Sequence, residues 1–387
     1  MPTEPDETPA LAVIGGGQLA RMMQQAAIAL GVRLQLLAEA PDGSAAQVVP
    51  GATVGDYRDL SILRSAVQGC VAVTFDHEHV PTEHLRALEA DGVAFRPGPD
   101  ALVHAQDKAV MRARLTELGV ACPRWATVGT PAELDAFAEH VGGYPVVLKT
   151  TRGGYDGKGV WFPGSADEAA AAFGTGAALL AEERVPFVRE LAALVARSPS
   201  GQLSAYPVVE SVQRDGICVE VTAPAPGLDA QLAVEAQRSA MRIAAELGVT
   251  GILAVELFET ADGRVLVNEL AMRPHNTGHW SIDGAVTSQF ENHLRAVLDL
   301  PLGDPSARAP WTVMVNILGG TVGRLHDGYP HVQARDSGVR VHLYGKAVRP
   351  GRKVGHVTAY GDDLDQVRDR ARHAAHWFDG SLGNESE

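Results

Sequence analysis

The sequence predicts an α/β and α+β fold in three segments, and three patterns carry that expectation. From Ala10 to about Gln106, short apolar runs alternate with runs of helical spacing. From about Asp107 to Leu294, pairs of β-type runs flank glycine-rich turns. From Trp311 to about Gly380, short β-type runs precede one closing helix. Hydrophobic residues make up 45% and charged residues 21% of the 387, enough apolar side chain for a core and against disorder as the main state.

In the first segment Leu11–Ile14 reads as a buried strand, Leu19–Leu30 as a helix, Leu34–Leu37 as a second strand and Val71–Phe75 as a later one. Strand, helix, strand in this rhythm means a parallel sheet with helices on its faces. A helix over Asp107–Leu118 should bury Val110, Met111, Leu115 and Leu118 on one side. Pro301–Pro310, with its prolines, glycine and serine, reads as a linker. Thr312–Val315 and Val339–Leu343 read as strands, and Leu364–Phe378 as the closing helix.

A formal net charge of −14 argues against broad binding to nucleic acid or an anionic membrane. Cys70, Cys122 and Cys218 lie far apart, so no zinc or redox motif is expected, and a reducing cytoplasm suits them. The first nine residues are acidic and proline-rich, unlike a signal peptide, and are expected to fray. No run reaches the ~18 apolar residues of a membrane span.

Gly15-Gly16-Gly17-Gln18-Leu19-Ala20 follows a strand and opens a helix, and Glu39 ends the next strand. The pattern fits a dinucleotide fingerprint, a tight packing turn, or a site for another anionic or ribosyl ligand. Val146–Lys149 and Val160–Phe162 flank Gly153-Gly154-Tyr155-Asp156-Gly157-Lys158-Gly159, a hairpin with a basic, glycine-rich tip. It is not a Walker A loop, since Val160 follows Gly159 and a strand follows the loop, but it can lie over phosphates.

Leu253–Phe258 and Arg264–Leu270 flank Asp262-Gly263. A two-residue turn there sets Glu256 opposite Glu269, about 5 Å apart on one face. Two facing carboxylates with Asn268 alongside suit a magnesium ion. Arg273-Pro274-His275-Asn276-Thr277-Gly278-His279 then gathers donors for an anion, and Lys346, Arg349, Arg352 and Lys353 suggest a phosphate pocket.

These motifs together resemble the ATP-grasp enzymes, and within them the 5-(carboxyamino)imidazole ribonucleotide synthetase family, from about Leu11 to Phe378. The resemblance implies an ATP-grasp fold: a tail over 1–9, a Rossmann-like pre-ATP-grasp domain over 10–106, an ATP-grasp domain over 107–298 and a small β-rich domain over 299–387 packing on the first. It implies carboxylation of 5-aminoimidazole ribonucleotide with ATP and bicarbonate through carboxyphosphate, in purine biosynthesis. Magnesium or manganese would be the metal, and a homodimer the assembly. By motif, Lys108 and Lys149 would touch ATP, and Gly154, Tyr155, Asp156, Gly157, Lys158 and Gly159 would cover it. Glu182, Glu183, Arg184 and Val185 would form the adenine hinge, and Glu190 would hold the ribose. Gln213, Asn268 and Glu269 complete the nucleotide site, with Glu256 and Glu269 as metal ligands. Tyr155, Arg273, His275 and Lys346 would serve catalysis. Gln18, Leu19, Glu78, Asn276, Lys346, Arg352 and Lys353 would hold the ribonucleotide. Val160, Phe75–Val80 and Gln213 depart from the family's usual residues. A formate-using glycinamide ribonucleotide transformylase and an NAD-dependent oxidoreductase are the alternatives.

Overall fold

The computed structural model describes residues 8–154 and 157–384. The first seven residues of the tail expected over 1–9, together with Tyr155 and Asp156, lie outside the described residues, while the Pro9 carbonyl accepts from Arg33 N–H.

The first segment forms a parallel sheet of β1 (Ala10–Ile14), β2 (Arg33–Ala38), β3 (Thr53–Val54) and β4 (Ala72–Phe75), in the order β3-β2-β1-β4. β1 and β4 are buried throughout, as continuous apolar runs in a two-sided sheet require. The second sheet is antiparallel: β5 (Trp125–Val128), β6 (Val146–Thr150), β7 (Val160–Trp161) and β8 (Leu179–Glu183), ordered β5-β8-β6-β7.

The third sheet has nine strands: β9 (Phe187–Arg197), β10 (Leu203–Ala205), β11 (Val209–Arg214), β12 (Ile217–Ala223), β13 (Gly251–Thr260), β14 (Val265–Ala271), β15 (Trp311–Leu318), β16 (Arg340–Leu343) and β17 (Lys353–Gly361). Its path is β14-β13-β9-β11-β12-β15-β17-β16, with β10 paired to β9. β15 pairs directly with β12, so the C-terminal strands extend the central sheet.

Three expectations change here. Pro301–Pro310 is tied down: Gly303 N–H donates to Asn292 Oδ1 at 2.7 Å, Asn292 Nδ2 donates to the Gly303 carbonyl, and Thr287 N–H donates to the Asp304 carbonyl. The β13–β14 turn is not two residues long. Thr260 N–H donates to the Arg264 carbonyl, so Ala261, Asp262 and Gly263 form a three-residue loop, with Gly263 at φ +75°. A bulge at Asn268 then restores the count, and Glu256 still faces Glu269. On the helix Lys108–Glu117, Met111 and Leu115 are buried, but Val110 is exposed and Arg112 takes a buried place.

The first sheet shares its core with the rest. Leu11, Val13 and Leu36 pack with Phe290, Leu294 and Val297 of the helix Gln289–Val297, and with Tyr344. Ser44 Oγ donates to the Tyr344 carbonyl at 2.6 Å, and Gln47 Nε2 to the Gly345 carbonyl at 2.8 Å. These contacts close the C-terminal segment onto the first one and frame a cavity between them.

Candidate active site

A cavity of about 540 Å³ is lined by Gln18, Leu19, Glu78, Lys108, Gly154, Glu269, Arg273, His275, Asn276 and Lys353, among others. All three segments contribute. Beside it a narrow cleft gathers Glu190, Gln213, Glu256 and Asn268.

The glycine loop after β1 is filled from within the chain. Asp76 Oδ2 accepts from Gly17 N–H at 3.0 Å, and Oδ1 from Ala20 N–H at 2.7 Å. A Cβ on Gly17 would lie 2.2 Å from Asp76 Oδ2, which is why glycine stands there. Glu39 accepts from Gly16 N–H at 3.1 Å and meets His77 Nε2 at 3.0 Å. The hydrogen bond from His77 is the main cause of a Glu39 pKa lowered to about 2. The helix N-terminus and the acid expected to take a dinucleotide's pyrophosphate and ribose are therefore engaged already, against the NAD reading.

At the β13–β14 hairpin each carboxylate has a cationic or imidazole partner. Lys108 Nζ donates to Glu269 Oε1 at 2.9 Å, and His275 Nε2 lies 3.2 Å from Glu256 Oε1. Burial works to raise the Glu256 pKa, but His275, Lys353 and Lys149 outweigh it and hold it lowered. The His275 tautomer follows from geometry. Thr277 N–H can only donate to Nδ1, so Nε2 carries the proton that faces Glu256. Two facing carboxylates, with the Asn268 amide oxygen on the neighbouring residue, are a hard-oxygen donor set that fits magnesium. Among the described residues no group of three or more His, Cys, Asp or Glu stands ready to hold a metal.

Deeper in the cleft, Lys149 Nζ bridges Glu182 Oε2 at 2.7 Å and Asn268 Oδ1 at 3.1 Å. The Glu182 carboxylate is thus buried in an ion-pair cluster, while Glu183 pairs with Arg124 at 2.7 Å. Burial, with the Glu256 charge nearby, pushes Glu190 up to about 7. Gln213 Nε2 donates to Ser211 Oγ at 2.9 Å. Arg184 is exposed and Val185 half-buried, past the end of β8.

On the other wall Arg273 Nε donates to Glu78 Oε2 at 2.8 Å. Burial alone would raise the Glu78 pKa, but the Arg273 charge outweighs it and keeps the carboxylate ionised. Glu78 Oε1 is buried with no hydrogen-bond partner among the described residues. Lys346 Nζ donates to Gln18 Oε1. Arg352 donates to the Ala347 carbonyl at 3.2 Å, and neither it nor the exposed Arg349 lines the cavity.

Four residues that hold this site carry no motif. Asp76 fills the glycine loop. Gln289, fully buried, accepts from His275 N–H at 2.9 Å and donates to its carbonyl at 2.7 Å. Asn316 and Asn276 exchange amide hydrogen bonds at 2.8 and 3.1 Å. Arg112 is the fourth. The only available signal was its spacing of one helical turn from Lys108.

The glycine-rich hairpin, the facing glutamates and the shared cleft define an ATP-grasp enzyme. An ATP-grasp domain matches residues 113–290, a ribonucleotide synthetase preATP-grasp domain residues 9–106, and a phosphoribosylaminoimidazole carboxylase C-terminal domain residues 312–370. The N5-carboxyaminoimidazole ribonucleotide synthase of Mycobacterium tuberculosis is 57% identical over 381 residues, covering 96% of this chain and 88% of that one. That of Corynebacterium ammoniagenes is 53% identical over 377 residues, covering 95% and 91%. The solved N5-carboxyaminoimidazole synthase of Aspergillus clavatus, in complex with ADP and 5-aminoimidazole ribonucleotide, superposes with a TM-score of 0.87 at 31% identity, covering 96% and 99%. The chain belongs to the N5-carboxyaminoimidazole ribonucleotide synthase family, ATP-dependent ligases that carboxylate aminoimidazole ribonucleotide in purine biosynthesis. That membership sets aside the transformylase and oxidoreductase alternatives.

Proposed function

We propose that this chain runs the family reaction with the residues gathered in the cavity. Bicarbonate would take the γ-phosphoryl group of ATP, giving carboxyphosphate and ADP. The exocyclic amine of 5-aminoimidazole ribonucleotide would then be carboxylated and inorganic phosphate released. One observation carries this reading: the ionised Glu78, with one oxygen on Arg273 and the other unpartnered, lines the same cavity as Lys353. A buried carboxylate oxygen without a donor is expensive, and an amine N–H would satisfy it.

Glu256, Glu269 and Asn268 would hold magnesium, which neutralises phosphate charge when bound. Lys108 and Lys149 would position the phosphates, with the flap of Gly154, Gly157, Lys158 and Gly159 closing over them. Tyr155 and Asp156 belong to the same flap in this proposal. Glu190 would hold the ribose, Gln213 would stand beside it, and Glu182–Val185 would form the adenine side. The Glu182 carboxylate is engaged, so that contact would come from the backbone. Arg273 and His275 would fix the carboxyphosphate, with Gln289 holding the His275 backbone. Gln18, Leu19, Asn276 and Lys346 would surround the ribonucleotide, and Lys353 with Arg352 would take its phosphate. Carboxyphosphate is lost to water, which gives the flap its purpose.

The divisions at 10–106, 107–298 and 299–387 are the working domains of this proposal. A homodimer is also part of it, on family resemblance alone, and sedimentation would test it. No helix among the described residues is long and apolar enough to cross a membrane, and the three cysteines are unpaired. The unpaired cysteines suit a reducing compartment, and on that ground we place the protein in the cytoplasm.

The decisive assay is phosphate release from ATP, with and without bicarbonate and 5-aminoimidazole ribonucleotide. Release should require both. Release that ignores the ribonucleotide, or that needs formate, would sink the proposal.

A further inference from the structure

Arg112 is fully buried, and its guanidinium is spent on the metal-binding hairpin. Nε donates to Glu182 Oε1 at 2.7 Å, Nη1 to the Val267 carbonyl at 3.0 Å and Nη2 to the Asn268 carbonyl at 2.7 Å. A buried guanidinium is tolerated only when its charge is paired and its donors are used. Here the partners are specific. Asn268 is the extra residue of the β13–β14 bulge: Glu256 faces Glu269 and Leu257 faces Val267, leaving Asn268 without an opposite number. The ring closes through Lys149, which binds Glu182 and the Asn268 side chain. One turn earlier on the same helix, Lys108 holds Glu269. Two side chains of the helix Lys108–Glu117 thus grip three consecutive residues of β14.

The consequence lies in the register. With the three-residue loop alone, Glu256 would face Asn268, and Glu269 would point to the opposite face of the sheet. The bulge is what puts both carboxylates on one face. We infer that Arg112 is the positioning residue of this hairpin: its fork on the Val267 and Asn268 carbonyls holds the bulge and so keeps Glu269 opposite Glu256. The inference rests on the reading of Glu256 and Glu269 as the metal pair.

The test uses the full-length enzyme with Arg112→Lys and Arg112→Met. Lysine keeps the charge beside Glu182 but lacks the rigid fork whose three separate nitrogens reach Glu182, the Val267 carbonyl and the Asn268 carbonyl. In the metal-free, nucleotide-free protein, amide exchange over residues 264–272 should quicken at least tenfold in both variants, while β1 and β4 stay protected. With substrates, half-saturating magnesium should rise at least tenfold, and the ribonucleotide KM should stay within twofold. Unchanged exchange in that hairpin would overturn the inference. So would exchange that rises evenly across the chain, the mark of general destabilisation. If Arg112→Met does not fold, Arg112→Lys carries the decision. Glu269→Gln separates the two readings: unchanged magnesium dependence there would remove the metal pair, while the exchange measurement would still judge the role of Arg112.

Discussion

Glu78 is ionised, gripped on one side and unpartnered on the other. Glu78→Gln keeps its shape but removes the charge that answers both Arg273 and an incoming amine. A hydrogen bond to a charged group is worth about 1.5–3 kcal/mol, so the ribonucleotide KM should rise about ten- to a hundredfold. The KM for ATP should hold, and steady-state kinetics with each substrate varied in turn reads the difference. Lys353, at the start of β17, also lines the cavity. Lys353→Ala should raise the ribonucleotide KM by a similar factor, and an equal rise for ATP would move Lys353 out of the phosphate pocket. Lys353 was legible as a candidate in its basic, glycine-rich run, whereas Glu78 was one only through the family resemblance, in a stretch whose neighbours depart from the family pattern. Gln289 and Asn316 were not. Each is a neutral amide outside any motif, and only the fold shows that one clamps His275 and the other pairs with Asn276.

At the scale of elements, local patterning named β1, β2 and β4, the β6–β7 and β13–β14 hairpins, β15, β16 and three helices, while β9, β11 and β12 in the middle of the largest sheet went unnamed. The β13–β14 hairpin shows where such reading stops. Its carboxylate pairing was legible, yet the turn is one residue longer than Asp262-Gly263 suggests, and the bulge at Asn268 compensates. A bulge fixed by a distant arginine leaves no local signature. The glycine-rich flap is more transparent. Gly159 sits at φ +70°, and a Cβ there would lie 2.7 Å from Thr150 Oγ1. Gly159→Ala therefore meets both a clash and a left-handed backbone that costs about 1–2 kcal/mol. A flap displaced in this way should close poorly and admit water to the reaction intermediate. Phosphate released per ribonucleotide carboxylated should rise above one in the variant, measured by parallel phosphate and product assays. A ratio still at one, with a normal kcat, would mean the flap does not protect the intermediate.

Across the whole molecule, the pairing of β15 with β12 and the shared core around Phe290 and Tyr344 make the three segments mutually dependent. The residues alone do not show this, since the contacts join positions far apart in the chain, 98 between Cys218 and Asn316 and 300 between Ser44 and Tyr344, and only the family resemblance implied that the last segment packs on the first. His293 is the sharpest case. Its Nδ1 accepts from Ile252 N–H at 3.1 Å, which leaves the ring proton on Nε2 for Thr74 Oγ1 at 2.8 Å. One neutral imidazole thereby links the first sheet to the central one. Burial lowers its pKa to about 3, against about 6.5 in an unfolded chain. Between those values the unfolded state binds the extra proton, so stability falls as pH falls. At pH 5 this single site should remove about 2 kcal/mol relative to pH 7.5. Burial holds His279 and His356 well below their ordinary values too, so they add to the same trend. His293→Asn gives up the two-ended link and should lose about 1–3 kcal/mol at pH 7.5. It also gives up the acid penalty, so its deficit against the unaltered protein should shrink towards pH 5. Urea unfolding at the two pH values measures both gaps. A deficit that stays constant across that range would show that His293 is not held neutral by the fold, and that the acid sensitivity of the assembly arises elsewhere.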